Sequence, residues 1–134
     1  MRIGELARRV GTSTRALRFY EARGLLAARR AANGYRDYGE RDVRLVSEIV
    51  ALQQVGLSLD DTRPFVECLR AGHATGDSCP ASIAVYQRKL AEVAACIDRL
   101  NVLRATLETK IAEAAERRRT HSCRDDRTES RDPR

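Results

Sequence analysis

The chain has 134 residues, a formal net charge of +6 and four cysteines, a size at which one compact domain can bury a core without disulfide staples. No stretch approaches the roughly 18 to 20 uninterrupted apolar residues of a membrane span. The opening Met1-Arg2-Ile3-Gly4-Glu5 lacks the apolar run of a secretory signal, so a cytoplasmic protein with no membrane partner is expected.

The charge is unevenly placed. Residues 1–44 hold eleven Arg against five acidic residues, whereas residues 45–134 hold fourteen basic and fourteen acidic residues. Only Lys89 and Lys110 among the basic residues are lysine, which suggests a coding bias toward arginine and makes arginine abundance weak evidence by itself. Such a bias acts along the whole chain, so the concentration of charge in the first third carries the information. Four of the six aromatic residues, Phe19, Tyr20, Tyr35 and Tyr38, fall in the same segment. A basic region with interleaved tyrosines and small hydroxyl residues is the footprint of a nucleic-acid-binding surface.

Ile3, Leu6, Ala7 and Val10 follow the i, i+3, i+4, i+7 spacing of one helix face, and Gly11 ends that helix. Thr12-Ser13-Thr14 offers hydroxyl caps for a second helix, in which Ala16, Leu17 and Tyr20 repeat the spacing until Gly24. Two short helices joined by a tight turn predict a helix-turn-helix. Between Leu25 and Tyr38 the helical period is lost, and Asn33-Gly34 predicts a type I′ hairpin, because both residues tolerate positive φ. Residues 40–55 resume helix with Val43, Leu45, Val46, Ile49, Val50 and Leu52 on a broad buried face. Gly56 stops it, Ser58 caps a further helix, and Pro64 requires either an offset start near Asp60 or a kink.

Residues 72–79 read as a loop, with Pro80 suited to the first turn of a long helix. From Ile83 the apolar residues Tyr86, Leu90, Val93, Ile97, Leu100, Leu107 and Ile111 recur in steps of three and four, broken at Arg104. This heptad seam predicts one helix over about residues 80–118, near 60 Å long. It cannot bury its seam alone; a homodimer through an antiparallel coiled coil is expected, the alternative of packing on the chain's own N-terminal domain being geometrically poor at this length. The run ERRRTHSCRDDRTESRDPR has no apolar period, and residues 119–134 are expected to be a disordered tail. The fold class is therefore mainly α: a winged helix-turn-helix domain with a small β-hairpin wing over residues 1–71, a loop over 72–79, and a long dimerisation helix.

The run IGELARRVGTSTRALRFYEARGLL, followed by ANGYRDY, a helix, and Gly56-Leu57-Ser58-Leu59, resembles the DNA-binding domain of MerR-type bacterial transcription regulators. The motifs cover residues 2 to about 70, and the order of elements matches through about residue 118. Arg2 departs from the pattern, standing where such proteins often carry a hydroxyl cap. The resemblance implies a dimer on double-stranded promoter DNA that distorts an overlong spacer when its effector arrives, so that RNA polymerase engages both promoter elements. An effector-independent architectural DNA-bending protein is the alternative. An enzyme has little support, because neither histidine stands near a nucleophile and carboxylate pair and no glycine-rich phosphate loop is present.

The second helix can present Ser13, Thr14 and Arg15 to a major groove, with Thr14 and Arg15 assigned to base edges and Arg18, on the same face, to phosphate. Tyr20 is either a core residue or a phosphate donor, and the resemblance favours the donor. In the hairpin, alternation puts Arg36 and Tyr38 on one face, assigned to the DNA backbone, with Tyr35 shared between packing and phosphate. Contacts of this kind position the protein more than they specify sequence, and make binding strongly salt-dependent.

The effector is unknown from sequence, and a thiol-bound metal ion and a redox signal both stand. Cys68-x4-His73-x5-Cys79 spans a loop between helices, where the thiols either pair or, with His73, bind a soft metal. Cys68 lies three residues from Phe65 on a partly apolar face, which favours a buried inert thiol over either role, and Cys96 beside Ile97 is most simply packing. The resemblance implies a ligand at the start of the long helix, where Cys79 stands, and others just past its end, where His121-Ser122-Cys123 offers few. The tight run of four cysteines that holds an iron-sulfur cluster is absent. A larger organic effector would need a further C-terminal domain, and only a short tail comes after the helix.

Overall fold

The computed structural model describes residues 1–27, 29, 30, 34 and 36–130, with the backbone alone at 29, 30, 36 and 122–130. In chain order it contains α1 (Ile3–Val10), α2 (Thr14–Ala22), β1 (Arg29–Arg30), β2 (Arg36–Asp37), α3 (Glu40–Gln54), a 3-10 turn (Asp60–Thr62), α4 (Arg63–Arg70) and α5 (Pro80–Ser130). Two compact units result, Met1–Lys89 and the part from Leu90 onward.

In the first unit the local signals act as their chemistry requires. No side chain caps the start of α1 at Arg2, and Gly11 closes its end at φ 80° with its N–H on the Ala7 carbonyl, a left-handed conformation that costs glycine little. The Ser13 hydroxyl caps α2, accepting from the Ala16 N–H at 3.0 Å. At the start of α3 the Asp42 carboxylate accepts from the Gly39 N–H at 2.9 Å. Ser58 and Asp61 cap each other reciprocally, each backbone N–H donating to the other's side chain. Pro64 falls in the first turn of α4, where its missing N–H costs nothing; the 3-10 turn ahead of it takes up the offset.

The strands form a two-stranded antiparallel ribbon pairing Arg29 with Asp37 and Arg30 with Arg36. Of the Asn33-Gly34 turn only Gly34, at φ 84°, is described.

The main core gathers Leu6 and Ala7 of α1, Leu17 and Tyr20 of α2, Leu25, Leu26 and Tyr38 outside the helices, Leu45, Val46 and Ile49 of α3, and Val66 of α4. A second cluster joins Leu52, Leu57 and Phe65 to Val85 of α5, and Phe65 meets Tyr86 edge to face at 5.0 Å. Two guanidiniums tie α4 to the end of α2: Arg63 donates to the Arg23 carbonyl at 2.8 Å, and Arg70 to those of Gly24 and Leu25 at 3.3 and 2.7 Å. They serve the carbonyls that a helix end leaves unpaired.

In the second unit, Leu90, Val93, Ile97, Leu100, Leu107 and Ile111 are between 42% and 69% exposed. The backbone stays helical to Ser130, where an end near residue 118 and a disordered tail are expected from the loss of apolar period. Arginine and glutamate are good helix formers without any apolar pattern, and an Arg119–Glu116 ion pair and a Thr120 hydroxyl bond to the Glu116 carbonyl sit in that stretch. Among the described residues no helix is long and apolar enough to cross a membrane.

Candidate nucleic-acid interface and cysteine cluster

Helix α2 is divided by its own periodicity. Leu17 and Tyr20 are buried, while Ser13, Arg15, Arg18 and Phe19 are exposed and Thr14 is half-buried. The exposed side therefore carries two guanidiniums three residues apart, beside a helix start whose free N–H groups and dipole favour phosphate. Neither Arg15 nor Arg18 has an ion-pair partner among the described residues.

Other arginines of the basic segment are engaged. Arg9 makes a two-pronged bond to Glu40 at 2.6 and 3.1 Å, which holds the Glu40 carboxyl below the usual carboxylate range, through the hydrogen bond first. Arg23 lies 3.7 Å from Asp60 and stacks its guanidinium 5.1 Å from the centre of the Phe19 ring. Phe19, 49% exposed on the same helix as Arg15 and Arg18, was not singled out by sequence reasoning. The signal was its position beside Arg18, outside the spacing that buries Leu17 and Tyr20.

The two described tyrosines of the site are both core residues. Tyr20 is 5% exposed and its hydroxyl donates to Gln53 Oε1 at 2.9 Å; burial pushes its phenol above the ordinary value. Tyr38 is 2% exposed, with its hydroxyl on the Glu21 carboxylate. A phosphate contact by either hydroxyl would need the ring to leave the core or the hydroxyl to change partners, which is a physical argument against the backbone-clamp role expected of Tyr38. Tyr35 lies outside the described residues, as do the side chains of Arg36 and Cys123.

A second grouping stands at the far end of α4. Ligand atoms of Cys68, His73 and Cys79 all lie within 4.8 Å of one another. Cys68 is buried in α4, His73 is exposed just past the end of that helix, and Cys79 is half-buried immediately before α5. Contact with Cys68, followed by burial, raises the Cys79 thiol above its ordinary pKa. The loop between them is closely held. Cys68 Sγ donates to the Thr75 carbonyl at 3.5 Å, Arg44 of α3 to that of Ala74 at 2.9 Å, and the buried Ser82 hydroxyl to that of Gly76 at 2.6 Å. A methyl carbon added to Gly76 would meet Glu48 Oε1 at 2.9 Å and Phe65 Cβ at 3.2 Å. Cys96 is exposed on α5, and His121 lies near that helix's end.

Comparison with known proteins gives a consistent result. The family profile described as MerR HTH family regulatory protein matches residues 1–67, and one described as MerR, DNA binding, matches residues 43–110. The chain is 35% identical over 109 residues to the HTH-type transcriptional regulator HmrR of Rhizobium leguminosarum bv. viciae, covering 81% of each. In structure it is similar to the regulator PbrR691 of Ralstonia metallidurans CH34, solved in complex with lead(II), with a TM-score of 0.66, 27% identity and coverage of 80% of this chain and 81% of that one. It is also similar to HiNmlR, a regulator lacking the sensor domain and solved bound to promoter DNA, with a TM-score of 0.54, 28% identity and coverage of 84% and 83%.

Proposed function

The chain belongs to the MerR family of helix-turn-helix regulatory proteins, and from that premise we propose how its residues carry out transcription regulation on promoter DNA. The observation that carries the reading is the division of α2, with Leu17 and Tyr20 committed to the core and Arg15 and Arg18 turned to solvent. A helix held this way enters a major groove with its first turn toward the bases. Ser13 caps the helix, Thr14 and Arg15 read base edges, and Arg18 takes phosphate. Arg36 and Tyr35 contact the DNA backbone. Tyr20 and Tyr38 act through positioning: one fastens α2 to Gln53 of α3, and the other fixes the root of the ribbon against Glu21.

Two copies joined through the exposed seam of α5 place two such helices on one duplex, which requires a roughly palindromic operator. Arrival of an effector at the Cys68, His73 and Cys79 loop, a metal ion or a thiol-directed oxidant, changes the DNA distortion and lets RNA polymerase start. Support for this sensor comes from the group's geometry and from the lead(II) complex of one structural relative.

The test is binding of the full chain to its own promoter duplex and to scrambled duplexes over a range of salt, with transcription by RNA polymerase measured before and after metals or oxidant. Operator preference that survives high salt, with transcription that responds to an added agent, is expected. Equal binding to every duplex with one common salt slope would instead assign an architectural DNA-bending protein.

A further inference from the structure

We propose that Cys68, His73 and Cys79 hold one divalent cation of the zinc class within each chain, the fourth coordination position being left to a water or small anion. This rests on the reading of the loop as the effector site, and adds the chemical class and stoichiometry of what it takes.

The donor set comes first. Two thiolates and an imidazole suit zinc and its tetrahedral relatives, and offer nothing to calcium or magnesium, which require oxygen ligands. Distance comes second. With Zn–S bonds of about 2.3 Å, two sulfurs on a tetrahedral ion stand about 3.8 Å apart. The ligand atoms here already lie within 4.8 Å, so closure takes a movement of roughly 1 Å or less rather than a refolded loop.

Charge points the same way. Cys68 and Cys79 ionised side by side repel each other, and a divalent cation neutralises both. The backbone carrying the ligands is already ordered by bonds to the carbonyls of Ala74 and Gly76, which metal binding leaves in place, so little ordering entropy is lost on binding. His73 also borders a cavity of about 330 Å³ whose charged lining is Arg41, Arg44 and Arg70 against the single carboxylate of Asp42. An exogenous ligand reaching the ion from that cavity passes guanidinium groups, which favours an anion. All three ligands come from one chain, so a dimer carries two complete centres, and neither needs a residue from the partner or from the end of α5.

The experiment is titration of the reduced, full-length dimer with cobalt(II) as a spectroscopic stand-in for zinc, reading thiolate charge-transfer and tetrahedral d–d absorption, and competing with zinc. Saturation at one cobalt per chain, with two thiols per chain protected from alkylation, is expected. His73→Ala and Cys79→Ser, at positions that are not deeply buried, are expected to weaken binding by more than the 10- to 100-fold typical of losing even an outer partner of a metal site. Cys96→Ser and Cys123→Ser are expected to leave it unchanged. One cobalt per two chains, or loss of the site in Cys123→Ser, would overturn the proposal in favour of a centre shared between protomers. Full affinity in both His73→Ala and Cys79→Ser would overturn it outright. Promoter transcription with and without zinc is measured in parallel: a cation that binds as described without changing transcription leaves this centre standing and removes its effector role.

Discussion

Residues 1–89 and the helix beyond Leu90 bury apolar surface in opposite ways. The first holds Leu6, Leu17, Val46, Ile49, Phe65 and Val66 at 0% exposure within a single chain, while the second leaves every seam residue from Leu90 to Ile111 at least 42% exposed. Both carry clear apolar periodicity, so periodicity alone says that a face will be buried and not by what. The difference lies in the connections. Turns at Gly11, Gly24 and Gly56 fold α1 to α4 back on one another, whereas α5 runs on without a turn, and the cover proposed for its seam is a second copy.

Five substitutions, the last of them followed over pH, can break or sharpen that contrast. The largest effect is expected for Ile49→Ala, a cavity in the single-chain core, which should cost about 2–5 kcal/mol in denaturant unfolding; a loss below about 1 kcal/mol would mean that this core carries little of the stability. Ile97→Asp, which places a charge in the seam, should weaken dimerisation by about 2 kcal/mol or more in sedimentation equilibrium while leaving the first unit folded. An unchanged dimer would remove the seam as the interface. Arg15→Ala should weaken operator binding by about 1–3 kcal/mol and relax preference at one base position, with no change in unfolding.

Tyr20→Phe discriminates positioning from contact: loss of the bond to Gln53 should cost about 1 kcal/mol of stability, and a drop in DNA affinity with stability intact would make Tyr20 a contact after all. The smallest effect belongs to the exposed Arg9–Glu40 pair. Its carboxyl has a lowered pKa when folded, so whatever the pair contributes is present above the ordinary glutamate range and lost as pH falls through that lowered value. The stability difference between Glu40→Gln and the parent should therefore vanish in acid.

Much of the first unit was legible because its signals are local. Ile3, Leu6, Ala7 and Val10 with Gly11 define α1, and Ser13 caps α2 as a hydroxyl ahead of an apolar period should. Strand alternation assigns Tyr38 to the DNA backbone; it tells which residues share a face but not that the Tyr38 hydroxyl meets Glu21 of α2. Continuation of α5 past residue 118 was invisible to apolar periodicity, since its Arg and Glu residues favour helix through propensity and pairing alone. The spacing of Cys68, His73 and Cys79 suggested a cluster, but its closeness depends on the return of the loop onto α3, which rests on bonds to backbone carbonyls.

That last dependence has a consequence for variation at the loop. Ala74 contributes a carbonyl to Arg44, and Gly76 contributes a carbonyl to Ser82 and room for Glu48 and Phe65. In a randomised library selected for a working loop, position 74 should return many residues and position 76 only the smallest ones, although both look like featureless small residues. A tolerance map of residues 73–79 would thus trace the path of the main chain rather than the chemistry of its side chains, with Cys79 and His73 as the exceptions that mark a ligand.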